Sequence, residues 1–224
     1  MTCNDEPARR NRYRVGFRKG RSIRFLSHHD LMRAFERALR RTAMPLAMTQ
    51  GFNPHPRLAL LWPTSVGMTA EEDFLECELS EPISPDVLQQ RLSEQLPAGL
   101  ESLSAERLAS TRATAVESVE YEAEPPTGRE FAPPQIEAAL SRQHWPVARA
   151  RSQTGATKSI DIRPYVLSLA EARGRIHMHL RVSTDGTARP AEVLQTLGYD
   201  PQELLLWKTN RRRVHLATAS SSSA

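Results

Sequence analysis

Residues 22–60, SIRFLSHHDLMRAFERALRRTAMPLAMTQGFNPHPRLAL, decide how the rest of the chain is read. Ser27 is a good helix N-cap, and Asp30 places a carboxylate beside the positive end of the helix that follows. The spacing predicts a helix from about His28 to Ala43, ended by Pro45, because the residue before a proline disfavours helical backbone. On a helical wheel Leu31, Phe35, Ala38 and Leu39 form one face, and Arg33, Arg37, Arg40 and Arg41 form the opposite one. Pro45–Gln50 reads as a strand. Gly51-Phe52-Asn53-Pro54-His55-Pro56-Arg57 then reads as a loop stiffened by two prolines, each restricting the residue before it.

Outward from this stretch the periodicity changes to two. Arg12–Arg18 alternates, with Tyr13, Val15 and Phe17 on one side and arginines on the other, and Ile23 and Phe25 extend that pattern. Leu58–Trp62 is apolar and strand-like. Phe74–Leu79 alternates, Ser84-Pro85-Asp86 opens a helix to about Leu96, and Leu100–Leu108 is extended. The order β-α-β-β-α-β predicts a ferredoxin-like sandwich of α+β class over residues 12–110. Residues 109–116 form a junction.

The order then repeats over 116–215, giving two ferredoxin-like sandwiches in tandem. Val116–Glu124 is a strand, Pro133-Pro134 starts a helix to about Gln143, and Trp145–Arg151 is extended. Residues 152–172 read as an insertion. Arg175–Val182 is a strand with His177 and His179 on its polar side, Arg189-Pro190 opens a short helix to Leu197, and Leu204–Val214 closes the set. Residues 1–11 and the serine-rich 216–224 are expected to be disordered tails.

The 224 residues suit one large domain or two of about 100. The 30 Lys/Arg against 26 Asp/Glu give a net charge of +4, but the distribution is uneven. Residues 1–60 carry net +9, residues 61–137 net −12 and residues 138–224 net +7. Such a split fits either a basic surface facing an anion or blocks that pair within the molecule. Two cysteines, Cys3 and Cys77, make no disulfide framework and exclude a cysteine-built zinc or iron–sulfur site within one chain. With no long apolar run and no secretory leader, a cytoplasmic protein without membrane contact is expected.

Arginines at helical spacing can follow a sugar–phosphate backbone. Phe52, Asn53, His55 and Arg57 offer stacking and hydrogen-bonding groups for an unpaired base. Taken alone, Phe52 reads more readily as a core residue. The expected RNA-binding set is therefore Arg33, Arg37, Arg40, Arg41, Phe52, Asn53, His55 and Arg57. His28 and His55 are candidates for an acid or base in RNA cleavage. A metal reading would combine His28 or His29 with Asp30 and His55, or use His177 with His179, yet neither has dedicated ligand spacing. No metal is therefore expected. No Gly-rich phosphate loop, dinucleotide fingerprint or nucleophile elbow is present.

The motifs Phe25–Leu31, Glu36–Arg41 and Gln50–Arg57, together with Gly67, Glu72–Leu79 and Lys158–Tyr165, resemble the radical SAM-linked bacterial protein family, a domain of unknown function. The resemblance covers about residues 12–215 and departs at His29 and Trp62. It implies a radical SAM protein as partner, since members are commonly encoded beside or fused to one, sometimes near ribonuclease and ribosomal-protein genes. S-adenosylmethionine and an iron–sulfur cluster would then belong to the partner, with no cofactor in this chain. The resulting expectation is a non-catalytic accessory protein that presents tRNA or rRNA for modification. Alternatives are a metal-independent endoribonuclease, by fold-level analogy with CRISPR RNA-processing proteins, and a pure protein-interaction subunit.

Overall fold

The computed structural model describes residues 11–110, 113–128, 133–150 and 157–217. The chain divides into two compact units, residues 1–115 and 116–224. The expected tails, apart from Asn11, Leu216 and Ala217, lie outside the described residues, as do Cys3 and residues 152–156 at the start of the expected insertion.

The first unit runs β1 (Asn11–Lys19), α1 (His28–Arg41), β2 (Leu58–Leu60), β3 (Thr69–Leu79), α2 (Pro85–Ser93) and β4 (Leu100–Arg107). Its strands lie in the order β4-β1-β3-β2, every pair antiparallel. The period-two pattern of β1 dictates its two faces. Tyr13, Val15 and Phe17 are fully buried with Leu31, Phe35, Ala38 and Leu39 of α1 and Leu88 and Leu92 of α2. The Phe17 and Phe35 rings meet edge to face, with centroids 4.8 Å apart. Cys77 lies in the same core, and burial beside Glu76 and Glu78 pushes its thiol up to about 12.

The strand expected over Pro45–Gln50 is replaced by isolated bridges, Leu46 to Leu79 and Met48 to Pro56. The second sheet strand is instead Leu58–Leu60, in register with Leu75–Cys77. Likewise Arg21–Ile23 form a short 3-10 turn, so β1 does not continue to Phe25. Lys19 is the anchor of that turn. Fully buried, its ammonium donates to the carbonyls of Arg24 (3.1 Å) and Leu26 (3.5 Å) and to Thr64 Oγ1 (3.4 Å). It thereby ties down the segment that feeds α1.

The second unit runs β5 (Val116–Glu124), α3 (Pro133–Leu140), β6 (Pro146–Ala150), β7 (Thr157–Asp161), β8 (Val166–Ala172), β9 (Arg175–Ser183), β10 (Gly186–Thr187), α4 (Pro190–Thr196) and β11 (Lys208–Leu216). Its main strands lie in the order β11-β5-β9-β8, again antiparallel, with β10 also on β9. Val119, Tyr121, Ala123, Ile176, Met178 and Leu180 are buried, as are Val193 and Leu194 of α4.

The expected insertion is displaced. Residues 146–150 do not join the main sheet; β6 and β7 pair only with each other. Val166–Ala172, assigned to the insertion from sequence, is the sheet strand, because Val166 and Leu169 supply buried side chains there. The α+β class stands.

Candidate nucleic-acid interface

Helix α1 starts where the sequence says. Ser27 Oγ accepts from the Asp30 amide at 3.2 Å and donates to Asp30 Oδ2 at 2.7 Å. That hydroxyl contact holds the Asp30 carboxyl below its usual range. His28 and His29 project from the first turn, exposed, with ring centroids 5.6 Å apart.

The four arginines of α1 do not form one equivalent stripe. Arg41 donates to Gln95 Oε1 (3.1 Å) and to the Gln95 carbonyl (2.5 Å), tying α1 to the segment after α2. Arg40 makes two hydrogen bonds to Glu36 Oε1, at 3.1 and 3.0 Å. Arg33 stands 3.9 Å from Asp30 and remains largely exposed. Arg37 is exposed and makes no hydrogen bond or ion pair among the described residues.

The proline loop is held at its base rather than along its length. The Thr49 amide donates to the His55 carbonyl (2.8 Å), and the His55 amide donates to Thr49 Oγ1 (3.0 Å). Below this, the Arg57 amide donates to the Ala47 carbonyl (2.8 Å). The Ala47 amide donates to the Glu78 carbonyl (2.9 Å), and the Glu78 amide to the Arg57 carbonyl (3.0 Å). Both legs are thus bonded to β3. Gly51 at the tip has φ +133°, a conformation other residues rarely adopt.

Phe52 corrects the core assignment made for it alone: its side chain is wholly exposed. The loop bends it outward, and among the described residues no apolar neighbour covers it. Asn53 and His55 are also exposed, and His55 Nδ1 comes within 3.9 Å of Glu36 on α1. Arg57 is not displayed. Its guanidinium donates to the Met48 carbonyl (3.2 Å) and stands 3.8 Å from Glu78.

His28 and His55 are not brought to one point. His55 approaches α1 at Glu36, eight residues beyond His28, which is about 12 Å along the helix axis at 1.5 Å per residue. The arginines of β1 are paired within the unit: Arg12 with Glu76, Arg14 with Glu106 (3.0 Å) and Arg18 with Glu101 (2.6 Å). Here the basic and acidic blocks meet inside the unit.

Phe25, which the periodicity placed in the extended run of β1, lies beyond that strand. It is 65% exposed, with the Arg24 guanidinium over its ring at 4.4 Å. In the second unit His177 lies 4.0 Å from Glu122, whereas His179 and His215 gather around Glu120. Among the described residues that is the one grouping of three side chains that could ligate a metal.

An α+β protein with a cationic helix beside an aromatic-tipped loop is the class these features define. The chain belongs to a bacterial family, described as an uncharacterized protein conserved in bacteria (DUF2344), which matches residues 12–190. No curated protein matches it. A solved structure described as an unknown protein from Galdieria sulphuraria aligns over 93% of this chain and 99% of its own, at 11% identity. The TM-score of 0.28 carries no fold assignment. No described helix is long and apolar enough to cross a membrane.

Proposed function

We propose that the chain is a cytoplasmic, non-catalytic accessory protein that binds RNA, tRNA or rRNA, through α1 and the 49–55 loop, for modification by a radical SAM partner. The carrying observation is Phe52: a fully exposed ring on a loop closed by Thr49 and His55, in the same unit as the unpaired Arg37. Leaving such a ring in water costs apolar surface, which stacking on a base recovers. Arg33 and Arg37 supply phosphate contacts; Asn53 and His55 supply hydrogen bonds to a base. Arg40 serves mainly its pair with Glu36, and Arg41 and Arg57 hold the surface in place. The resemblance to radical SAM-linked proteins supports the partner.

The same reading takes both units as ferredoxin-like sandwiches in tandem. Their matching strand orders, β4-β1-β3-β2 and β11-β5-β9-β8, support it. A nuclease would need its acid and base to flank one phosphate, and the spread of His28 and His55 along α1 does not favour that.

The test is binding of a bulk tRNA fraction and of ribosomal RNA fragments to the purified protein over a salt series, alone and with the radical SAM partner. Phe52→Ala removes one stacking contact, about 1–3 kcal/mol, or roughly five- to 150-fold in affinity. Arg37→Glu is expected to weaken binding of all RNAs and to flatten the salt dependence. Absence of RNA binding in both settings would overturn the reading.

A further inference from the structure

We infer that the sheet face of the second unit turned away from its helices holds a divalent transition-metal site formed by Glu120, His179 and His215. The three residues come from three adjacent strands. On β5 the core-facing residues are Val119, Tyr121 and Ala123, so Ser118, Glu120 and Glu122 occupy the opposite face. On β9, His179 is directly across from Glu120. On β11, His215 is directly across from Ser118, one same-face step along β5. Side chains opposite or diagonal across antiparallel strands are within reach of one another.

His215 reaches this face because of a defect in the ladder. The register of β11 against β5 runs evenly from Lys208 to Arg211, then shifts, so that Arg213 and not Arg212 lies opposite Glu120. An uninterrupted strand would put Val214 on the open face and turn His215 into the core, since a one-residue slip exchanges the faces. The bulge sends Val214 inward, where it is buried, and His215 outward.

The result is a set of three ligands with matched chemistry. One nitrogen from each imidazole and one carboxylate oxygen lie within 4.8 Å of one another. His215 Nε2 already stands 2.6 Å from Glu120 Oε1, and the two imidazole centroids are 5.1 Å apart. Tetrahedral zinc with bonds near 2.0–2.1 Å needs ligand atoms about 3.3 Å apart, so a small side-chain rotation closes the set. Ser118 Oγ, 2.8 Å from His179 Nε2, supplies a neighbouring oxygen.

Two imidazoles and one carboxylate suit Zn²⁺, Co²⁺ or Ni²⁺ and not Mg²⁺ or Ca²⁺, which take oxygen ligands. All three residues are only half-buried, so a bound ion keeps at least one position open to water. Arg213, opposite Glu120, is the nearby cation an ion would compete with. The acidic neighbour Glu122 is committed elsewhere, to Arg175 at 2.8 Å and Arg212 at 3.7 Å. His177 beside it therefore provides an internal control.

The experiment is titration calorimetry of untagged, chelator-stripped full-length protein with Zn²⁺ at about pH 7.5. Visible absorption of the Co²⁺ form gives a second readout. One ion per chain is expected. His179→Ala and His215→Ala should each weaken binding at least about tenfold, and His177→Ala should leave it within about twofold. Glu120→Gln, nearly isosteric, should weaken binding without altering the circular dichroism spectrum, which separates ligand loss from misfolding. Absence of stoichiometric binding overturns the site, as does binding retained by the His179→Ala, His215→Ala double variant.

Discussion

The open sheet faces of the two units differ in how they treat charge. In the first unit Arg12 and Glu76 are buried together, and Thr114 and the Ser110 carbonyl close over them. In the second, Glu120, Glu122 and Glu124 are surrounded by Arg175, Lys208, Arg212, His179 and His215, several of them with exposed side chains. A dry pair has little freedom: each charge needs the other because neither has water. A wet cluster can exchange partners at small cost. One face therefore encloses its pair, and the other leaves its basic partners, Arg175, Lys208 and Arg212, half-exposed to water.

The largest expected effect follows directly. Arg12→Leu strands the buried Glu76 and should cost about 3–5 kcal/mol in urea denaturation. Arg175→Leu removes a half-exposed guanidinium from Glu122 and Glu124, but Arg212 and His177 still face Glu122 and Lys208 still faces Glu124, so it should cost no more than about 1 kcal/mol. Equal costs would erase the contrast.

Within the first unit the same division separates support from display. Ser27→Ala removes the cap of α1 and should cost about 1 kcal/mol. Phe52→Ala, at a wholly exposed ring, should change stability by no more than about 0.5 kcal/mol while altering RNA binding. Thermal melts of both variants make the comparison. A large loss from Phe52→Ala would mean that the ring is packed.

The smallest effect concerns acid. Partial burial works to raise the Asp161 carboxyl. The hydrogen bond from His144 and the amides of Trp145 and Arg163 outweigh it, so the group is held below its usual range. A lowered folded value means stabilisation present above the ordinary aspartate range and lost as pH falls through the folded value. Asp161→Asn should therefore flatten the acid limb of a stability–pH profile below about pH 4 and leave its shape near neutrality unchanged.

Helix α1 was legible in the sequence because its signals are local: Ser27, the apolar spacing and Pro45. The partner of Arg41 was not, since Gln95 lies far along the chain and becomes a neighbour only when α1 and α2 pack on one sheet. Phe52 misled in the same way, because whether a ring is covered depends on distant residues. The Pro45–Gln50 segment alternates like a strand, but its hydrogen bonds join Ala47 to Glu78 and Arg57 and Thr49 to His55, in a loop base that periodicity does not encode. Glu120, His179 and His215 share no spacing at all. The ladder and its bulge bring them together.

The position of Cys77 gives the first unit a built-in clock. A thiol that is 2% exposed and displaced to about 12 does not react with an alkylating reagent at neutral pH. In a Cys3→Ser chain, labelling at Cys77 can proceed only through openings that separate β3 from α1 and α2. Its rate therefore counts those excursions, and the dependence on reagent concentration distinguishes rare equilibrium opening from rate-limiting unfolding.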